Sequence, residues 1–130
     1  MNTKRLIAVV TLIVGCFVFT SAAQTKIPVK FARGASSATV SGKVTGYRYI
    51  DYTISASVGQ EMTIKAVSSH PGLEALLLRP DGSNVDGMFG ETDWTGTLPD
   101  TGKYSVRVLI PRSAARRNET ANFKLTISVR

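Results

Sequence analysis

Three arginines lie within six residues of one connection, at Arg112, Arg116 and Arg117, with only short side chains between the first two. Alternating apolar residues before Pro111 and after Asn118 predict a strand on each side. The basic segment is therefore an exposed connection between two strands. Alternation gives no reason for three guanidinium groups. Because a guanidinium makes paired, charge-assisted hydrogen bonds to carboxylates and phosphates, the segment indicates an anionic partner. Solvated loop charges that only aid solubility are the alternative interpretation.

The spacing within this segment separates the three arginines. Arg112 and Arg116 are four residues apart, and the small residues between them tolerate one helical turn or a tight loop, either of which aims both side chains together. Arg117 then points elsewhere. Tyr47 is a second candidate, because it directly follows Gly46 at a predicted strand start and can protrude. A tyrosine beside arginines is typical of a binding hot spot, whereas half-buried strand packing is the other interpretation.

Residues suited to catalysis are few. The only histidine, His70, lies in a Ser-Ser-His-Pro-Gly turn and is predicted to be a solvated loop residue, which disfavours triad hydrolysis. Carboxylates between Asp81 and Asp100 could form a glycosidase pair, but their turn contexts predict Asx-turn and solvation roles. A calcium loop at residues 81–86 is disfavoured because Val85 stands where an oxygen ligand is needed. We therefore expect no enzyme, no metal and no cofactor.

The N-terminus has the features of an export signal. A basic start is followed by an apolar run at residues 6–20 and then by small residues, which predicts cleavage after Ala23. Residues 1–23 are then a signal peptide and residues 24–130 a single domain. The apolar run is shorter than the roughly 20 residues of a stable membrane span, so no transmembrane span is expected after cleavage. Acylation at Cys16 is the less favoured alternative, because the run continues beyond the cysteine.

The charge balance and the missing cysteines narrow the class of partner. After the predicted leader there are fourteen basic and nine acidic residues, which suits nucleic acid, an anionic surface or an acidic protein. Export disfavours nucleic acid, and so does the lack of a basic strand interleaved with stacking aromatics. Residues 24–130 contain no cysteine, which excludes a disulfide framework and a thiolate zinc site.

Short alternating runs separated by turns predict an all-β fold, with no amphipathic helix of ten residues or more. Eight short strands with frequent turns indicate a single antiparallel β-sandwich. The passage at residues 82–93 is the least defined. The predicted strands are residues 27–31, 38–44, 47–56, 61–67, 75–79, 92–98, 103–110 and 122–129.

Short matches to one known family occur in order along the chain, and they are dense in residues 29–60 and from residue 98 to the end. On these residues the chain resembles the periplasmic inhibitors of g-type lysozyme found in Gram-negative bacteria. The middle of the chain carries no matching piece. The matches are residues 29–31, 34–38, 41–42, 46–47, 52–53, 59–60, 98–99, 101–104, 107–109, 112, 115–116 and 118.

The resemblance implies a periplasmic β-sandwich that plugs the substrate cleft of g-type lysozyme and so protects bacterial peptidoglycan. It places Tyr47, Arg112 and Arg116 at the family's contact positions. Arg117 and Asn118, which directly follow Arg116, are candidates for secondary contacts. The implied partner is g-type lysozyme, a protein whose cleft is acidic.

One departure from related inhibitors and one further resemblance bear on this interpretation. Related inhibitors of other lysozyme types carry a Ser-Gly-x-x-Tyr loop, and here Thr45 stands at the tyrosine position, which argues against c-type or i-type specificity. Residues 78–82 and 101–104 also resemble β-sandwich modules appended to secreted peptidases. The alternative function is therefore a module of that type, which binds cell-wall carbohydrate or protein without inhibiting an enzyme.

Overall fold

A computed structural model describes residues 24–130, which form nine strands and one short helix. The predicted leader and Cys16 lie outside the described residues. Across residues 24–130, no helix has the length and apolar character needed to cross a bilayer. The elements are β1 Gln24–Pro28, β2 Ser37–Thr45, β3 Tyr49–Ala56, β4 Glu61–Ser68, β5 Glu74–Leu78, β6 Asn84–Glu91, β7 Asp93–Thr97, β8 Gly102–Leu109, α1 Arg112–Arg116 and β9 Thr120–Val129.

The strands form two sheets, which confirms the predicted all-β sandwich. One sheet has the order β1-β3-β8-β5-β6 and the other has the order β2-β9-β4-β7. Neighbouring strands are antiparallel except β1 and β3, which run parallel. Strand β6 falls in the passage where no strand was predicted. Its pairing with β5 shifts register twice, and such irregularities break the alternation on which sequence prediction depends.

Side chains from the facing surfaces of both sheets fill the core. Tyr52 of β3 meets Phe123 of β9 edge to face, with ring centroids 6.2 Å apart. Gly42 of β2 faces this pair, and a Cβ there would lie 2.6 Å from both the Tyr52 hydroxyl oxygen and a Phe123 ring carbon. Glycine at position 42 therefore has a packing reason, since the two aromatic side chains occupy the space that a larger residue would need.

Strand β8 is anchored at its start and delivers the chain to the helix at its end. The buried Tyr104 hydroxyl donates to the Asp100 carbonyl at 2.6 Å and accepts from the Asp100 amide at 2.9 Å. This buried tyrosine is thereby satisfied by the turn before its own strand. From there β8 runs the length of the five-stranded sheet, and α1 follows it at the opposite end of the sandwich, where β2 also turns into β3.

Candidate functional site

The turn that carries Tyr47 leads the chain from one sheet into the other. The Arg48 amide donates to the Thr45 carbonyl at 3.2 Å, and Gly46 has a φ of 61°. A positive φ at this first central position of a β-turn favours glycine. The turn takes the place of the first two residues of the strand predicted at 47–56. Tyr47 is consequently displayed from a turn, and 60% of it is exposed.

The segment between β8 and β9 forms one helical turn, one of the two conformations that its small residues allow. The Ala115 amide donates to the Pro111 carbonyl at 2.9 Å, and both Ala114 and Ala115 are buried in the core. Because these alanines face inward, Arg112 and Arg116 are exposed at the two ends of α1. The two small residues thus fix the backbone from which the two arginines project.

Asn118 ends this helix and contacts the Tyr47 turn. Its φ is 54°, the left-handed conformation that commonly follows a helix, and its amide donates to the Ala115 carbonyl at 3.0 Å. A Cβ on Gly46 would lie 2.9 Å from Asn118 Oδ1 and 3.7 Å from the Ala115 carbonyl oxygen. Glycine at position 46 therefore allows the turn and the end of α1 to pack against each other.

Glu119 links three connections at this end of the sandwich. Its carbonyl accepts from the Gly46 amide at 3.0 Å, and its own amide donates to the Ala114 carbonyl at 3.2 Å. Its carboxylate accepts from His70 Nε2 at 2.8 Å and also from Arg117 Nε. The hydrogen bond from His70 and then that from Arg117 lower the pKa of Glu119 below its ordinary value. The Tyr47 turn, the β4–β5 turn and the α1–β9 segment are thereby held together.

His70 lies in the turn between β4 and β5, as predicted, but the prediction that it is solvated is wrong. Its side chain is only 15% exposed, and its Nδ1 accepts from the Gly72 amide at 2.9 Å. Because Nδ1 accepts a hydrogen bond, Nε2 carries the proton that is donated to Glu119. No local pattern indicates this contact, since the two residues are 49 positions apart.

Tyr47 and Arg112 line the same surface cleft, of about 400 Å³. Arg116 lies one helical turn beyond Arg112 and directly follows Ala115, whose carbonyl faces the Gly46 turn. Arg117 is instead engaged by Glu119. The fold thus brings two of the sequence-predicted contact residues to one cleft and places the third beside it. The remaining lining residues are Gly46, Arg48, Tyr49, Leu109 and Ile110.

Arg48 and Tyr49 were missed as members of this site by sequence reasoning. Arg48 is exposed and immediately follows Tyr47, while Tyr49 opens β3 at the cleft wall. The tripeptide from 47 to 49 places an arginine between two tyrosines, and this composition is the signal that could have found them. With Arg48 included, the cleft is lined by two tyrosines and two arginines.

The cations of this cleft are available to a partner. Among the ion pairs formed within residues 24–130, none involves Arg48, Arg112 or Arg116. An exposed arginine without an internal partner loses no existing contact when it meets a carboxylate. The arrangement therefore suits an acidic protein surface, which arginine recognises through two parallel hydrogen bonds.

Asp81 serves its turn, as predicted, whereas Glu91 and Asp93 lie in strands β6 and β7 and not in the turns expected for them. Asp81 Oδ1 accepts from the Ser83 amide at 2.9 Å and from the Ser83 hydroxyl at 2.6 Å, and these bonds lower the pKa of Asp81. In the part of the chain that the structure describes, no group of three histidine, cysteine or carboxylate side chains is placed to hold a metal ion.

The fold and this end of the molecule define a small β-sandwich that displays tyrosine and arginine beside a cleft. No family model matches the chain. A curated relative, the inhibitor of g-type lysozyme from Escherichia coli strain K12, is 35% identical over 114 residues, which cover 84% of each chain. At this identity and coverage, the chain belongs to the family of g-type lysozyme inhibitors.

Solved structures agree with this assignment. The crystal structure of Aeromonas hydrophila PliG, a periplasmic lysozyme inhibitor of g-type lysozyme, matches with a TM-score of 0.76 and 35% identity. The match covers 83% of this chain and 98% of that one. A pre-peptidase C-terminal domain of collagenase from Bacillus anthracis matches at a TM-score of 0.51 and 13% identity, over 82% of this chain and 94% of that one. The second likeness concerns the fold alone.

Proposed function

We propose that this protein is a periplasmic inhibitor that binds g-type lysozyme, occludes its active-site cleft and so protects bacterial peptidoglycan. Family membership supports the target. The observation that carries the contact site is the meeting of Tyr47 and Arg112 at one cleft, with Arg116 exposed one helical turn away. The protein acts by binding and is not itself an enzyme.

The chemistry of a glycosidase explains why arginines would inhibit it. Such an enzyme must hold a protonated carboxylic acid that donates to the leaving oxygen, commonly among other carboxylates. Arg112 or Arg116 placed there would make charge-assisted hydrogen bonds to the carboxylate form. An adjacent guanidinium also lowers the pKa of the acid, which leaves it without the proton that catalysis needs. The same side chains fill the space of the substrate.

The backbone behind these side chains is already fixed before binding. Hydrogen bonds from Gly46 to Glu119 and from Asn118 to Ala115 hold the turn and the helix end in place. A tyrosine adds rigid contact area with only two rotatable side-chain bonds, so ordering Tyr47 costs little entropy. The binding free energy is therefore opposed mainly by ordering of the arginine side chains.

A lysis assay tests this function directly. The purified protein is titrated against g-type lysozyme acting on bacterial cell walls, and inhibition is expected near one-to-one stoichiometry. In the Arg112→Ala/Arg116→Ala variant, each substitution should cost roughly 2 to 5 kcal/mol of binding free energy, because both arginines become desolvated in the complex. The variant Lys43→Ala/Lys124→Ala removes the same charge from the exposed face of the other sheet and should inhibit normally.

The results of these measurements test the proposed function and the proposed contact residues separately. Full lysozyme activity in molar excess of the unmodified protein would overturn the proposed function. Unchanged affinity of the Arg112/Arg116 double variant would keep the function but remove these residues from the contact. Binding to purified peptidoglycan with no effect on lysozyme would indicate the wall-binding module instead.

A further inference from the structure

A second cationic region lies on the outer face of the five-stranded sheet. A groove of about 460 Å³ has its floor on β3 and β8, with Thr53 and Ser105 in the middle. One wall is β1, and the other is the turn that joins β5 to β6. The groove begins beside the Tyr47 cleft, at Arg107, and runs toward the opposite end of the sandwich. Nothing in the proposed lysozyme contact uses it.

The groove carries an excess of positive charge. It is lined by four cationic side chains, Lys26, Arg79, Lys103 and Arg107, against the single carboxylate of Asp51. Arg107 is already committed, because its Nε and one terminal nitrogen donate to the two Asp51 oxygens at 2.8 and 3.0 Å. The other three cations take part in no ion pair within residues 24–130. Three charges are left to attract an anion.

Arg79 adds a specific hydrogen-bond donor to this general attraction. Its Nε is buried and has no hydrogen-bond partner among the described residues. A buried N–H without a partner is unfavourable and rare in native structures, so the fold alone does not satisfy the Arg79 guanidinium. The carboxylate on the same turn, Asp81, attracts Arg79 electrostatically but makes no salt bridge with it, and its Oδ1 accepts hydrogen bonds from Ser83.

The turn that carries Arg79 is held in a fixed position over the sheet. The Arg79 amide donates to the Ser83 carbonyl at 2.7 Å, and the Gly82 amide donates to the Arg79 carbonyl at 2.9 Å. Pro80 packs on Gly102 at the start of β8, where a Cβ would lie 2.8 Å from Pro80 Cγ. The wall of the groove is therefore built by close backbone packing, which fixes the backbone behind the unpartnered guanidinium.

We propose that this groove binds a phosphate-type oxyanion that carries two or more negative charges. Arg79 presents its accessible terminal guanidinium nitrogens to the phosphate oxygens, while Lys26 and Lys103 act as flanking point charges. Asp51 holds Arg107 in place on the floor. Phosphate of this kind can come from a soluble molecule or from a lipid headgroup, and both present the same oxygens. The proposal is independent of lysozyme inhibition.

The first arm of the test uses pyrophosphate as a soluble probe. Nuclear magnetic resonance of the purified protein, at about 0.15 M salt so that diffuse attraction is screened, should show the Arg79 Nε–H resonance shift on titration. Arg79→Gln should weaken binding about tenfold or more, and Lys26→Gln should weaken it less, because lysine supplies charge without the fork. Lys43→Gln, which removes an exposed charge from the other sheet, should bind as the unmodified protein does.

The second arm uses vesicles of phosphatidic acid in phosphatidylcholine, because the phosphomonoester headgroup of phosphatidic acid can carry two negative charges. Co-sedimentation that pyrophosphate competes away and that Arg79→Gln reduces would identify a lipid headgroup as the source. Pyrophosphate binding without co-sedimentation would identify a soluble ligand. Arg79→Gln should still inhibit lysozyme, which separates this site from the Tyr47 cleft. Equal weakening by Lys43→Gln, or no response of Arg79 to either probe, would overturn the proposal.

Discussion

Arg107, on the floor of the groove, and the arginines of the Tyr47 cleft are held in opposite ways. In the groove, Arg107 is fixed through its side chain, by two hydrogen bonds to Asp51 and by the Tyr49 ring 4.3 Å from its guanidinium carbon. At the cleft, Arg112 and Arg116 have no ion partner within residues 24–130, and only their backbone is fixed. An arginine held across strands serves the fold, whereas one displayed from a fixed backbone is free to meet a partner.

The largest expected stability difference between the two regions comes from Asp51→Ala. Asp51 is 2% exposed, so its loss leaves Arg107 partly buried without its carboxylate. We expect the free energy of unfolding, measured in urea, to fall by about 2 to 3 kcal/mol, less than for a fully buried pair because Arg107 is partly exposed. Arg112→Ala should change it by less than about 0.5 kcal/mol. Asp93→Ala, which removes an exposed acid from β7, controls for net charge. Equal losses of unfolding free energy in the three variants would contradict the distinction between a structural arginine and a displayed one.

A smaller effect should follow from Gly46→Ala, which perturbs the backbone behind the cleft. The new Cβ lies too close to Asn118 Oδ1, and alanine is strained at the positive φ of position 46. We therefore expect the free energy of unfolding to fall by about 2 kcal/mol and lysozyme inhibition to weaken. Gly59→Ala is the matched control, because Gly59 also has a positive φ but open space around it. That variant should lose about 1 kcal/mol and inhibit normally. Normal inhibition by Gly46→Ala would show that the turn does not position Tyr47.

The smallest expected effect concerns pH. Hydrogen bonds from His70 and Arg117 lower the pKa of folded Glu119 below its ordinary value of 4.5. A carboxyl whose pKa is depressed by folding adds stability that is fully present above the unfolded pKa and is lost as pH falls through the folded one. Glu119→Gln should therefore be less stable than the unmodified protein near neutral pH. Urea titrations should show this difference shrink on acidification below about pH 4. A difference that does not change with pH would mean that the carboxylate charge does not hold this end together.

The sequence predicted those features that depend on local pattern. Alternation found the strands on both sides of Pro111, and the small residues from 113 to 115 allowed the helical turn that the structure contains. Strand β6 was missed because register shifts in its pairing interrupt the period of two. Strand prediction from one sequence depends on regular alternation. It therefore succeeds where the alternation is regular and fails where a register shift interrupts it.

Contacts between distant residues could not be predicted in this way. Asp51 and Arg107 are 56 positions apart, and His70 and Glu119 are 49 apart, so neither pair leaves a local signature. Tyr47 and Arg112 were predicted separately, from residue type and position and then from the resemblance, and only the sheet order explains why they line one cleft. Strand β3 lies beside β8, so the turn before the one and the helix after the other meet at the same end.

The hydrogen bond from the Gly46 amide to the Glu119 carbonyl joins backbone to backbone, and so does the bond from Glu119 to Ala114. Neither depends on which side chains stand at positions 47, 48, 112 and 116. Those four positions can therefore be randomised together in a display library while the support beneath them stays constant. Selection for binding to lysozymes of different types would then change which lysozyme is bound, with little change in the free energy of unfolding. This end of the sandwich is therefore a starting point for engineered binders.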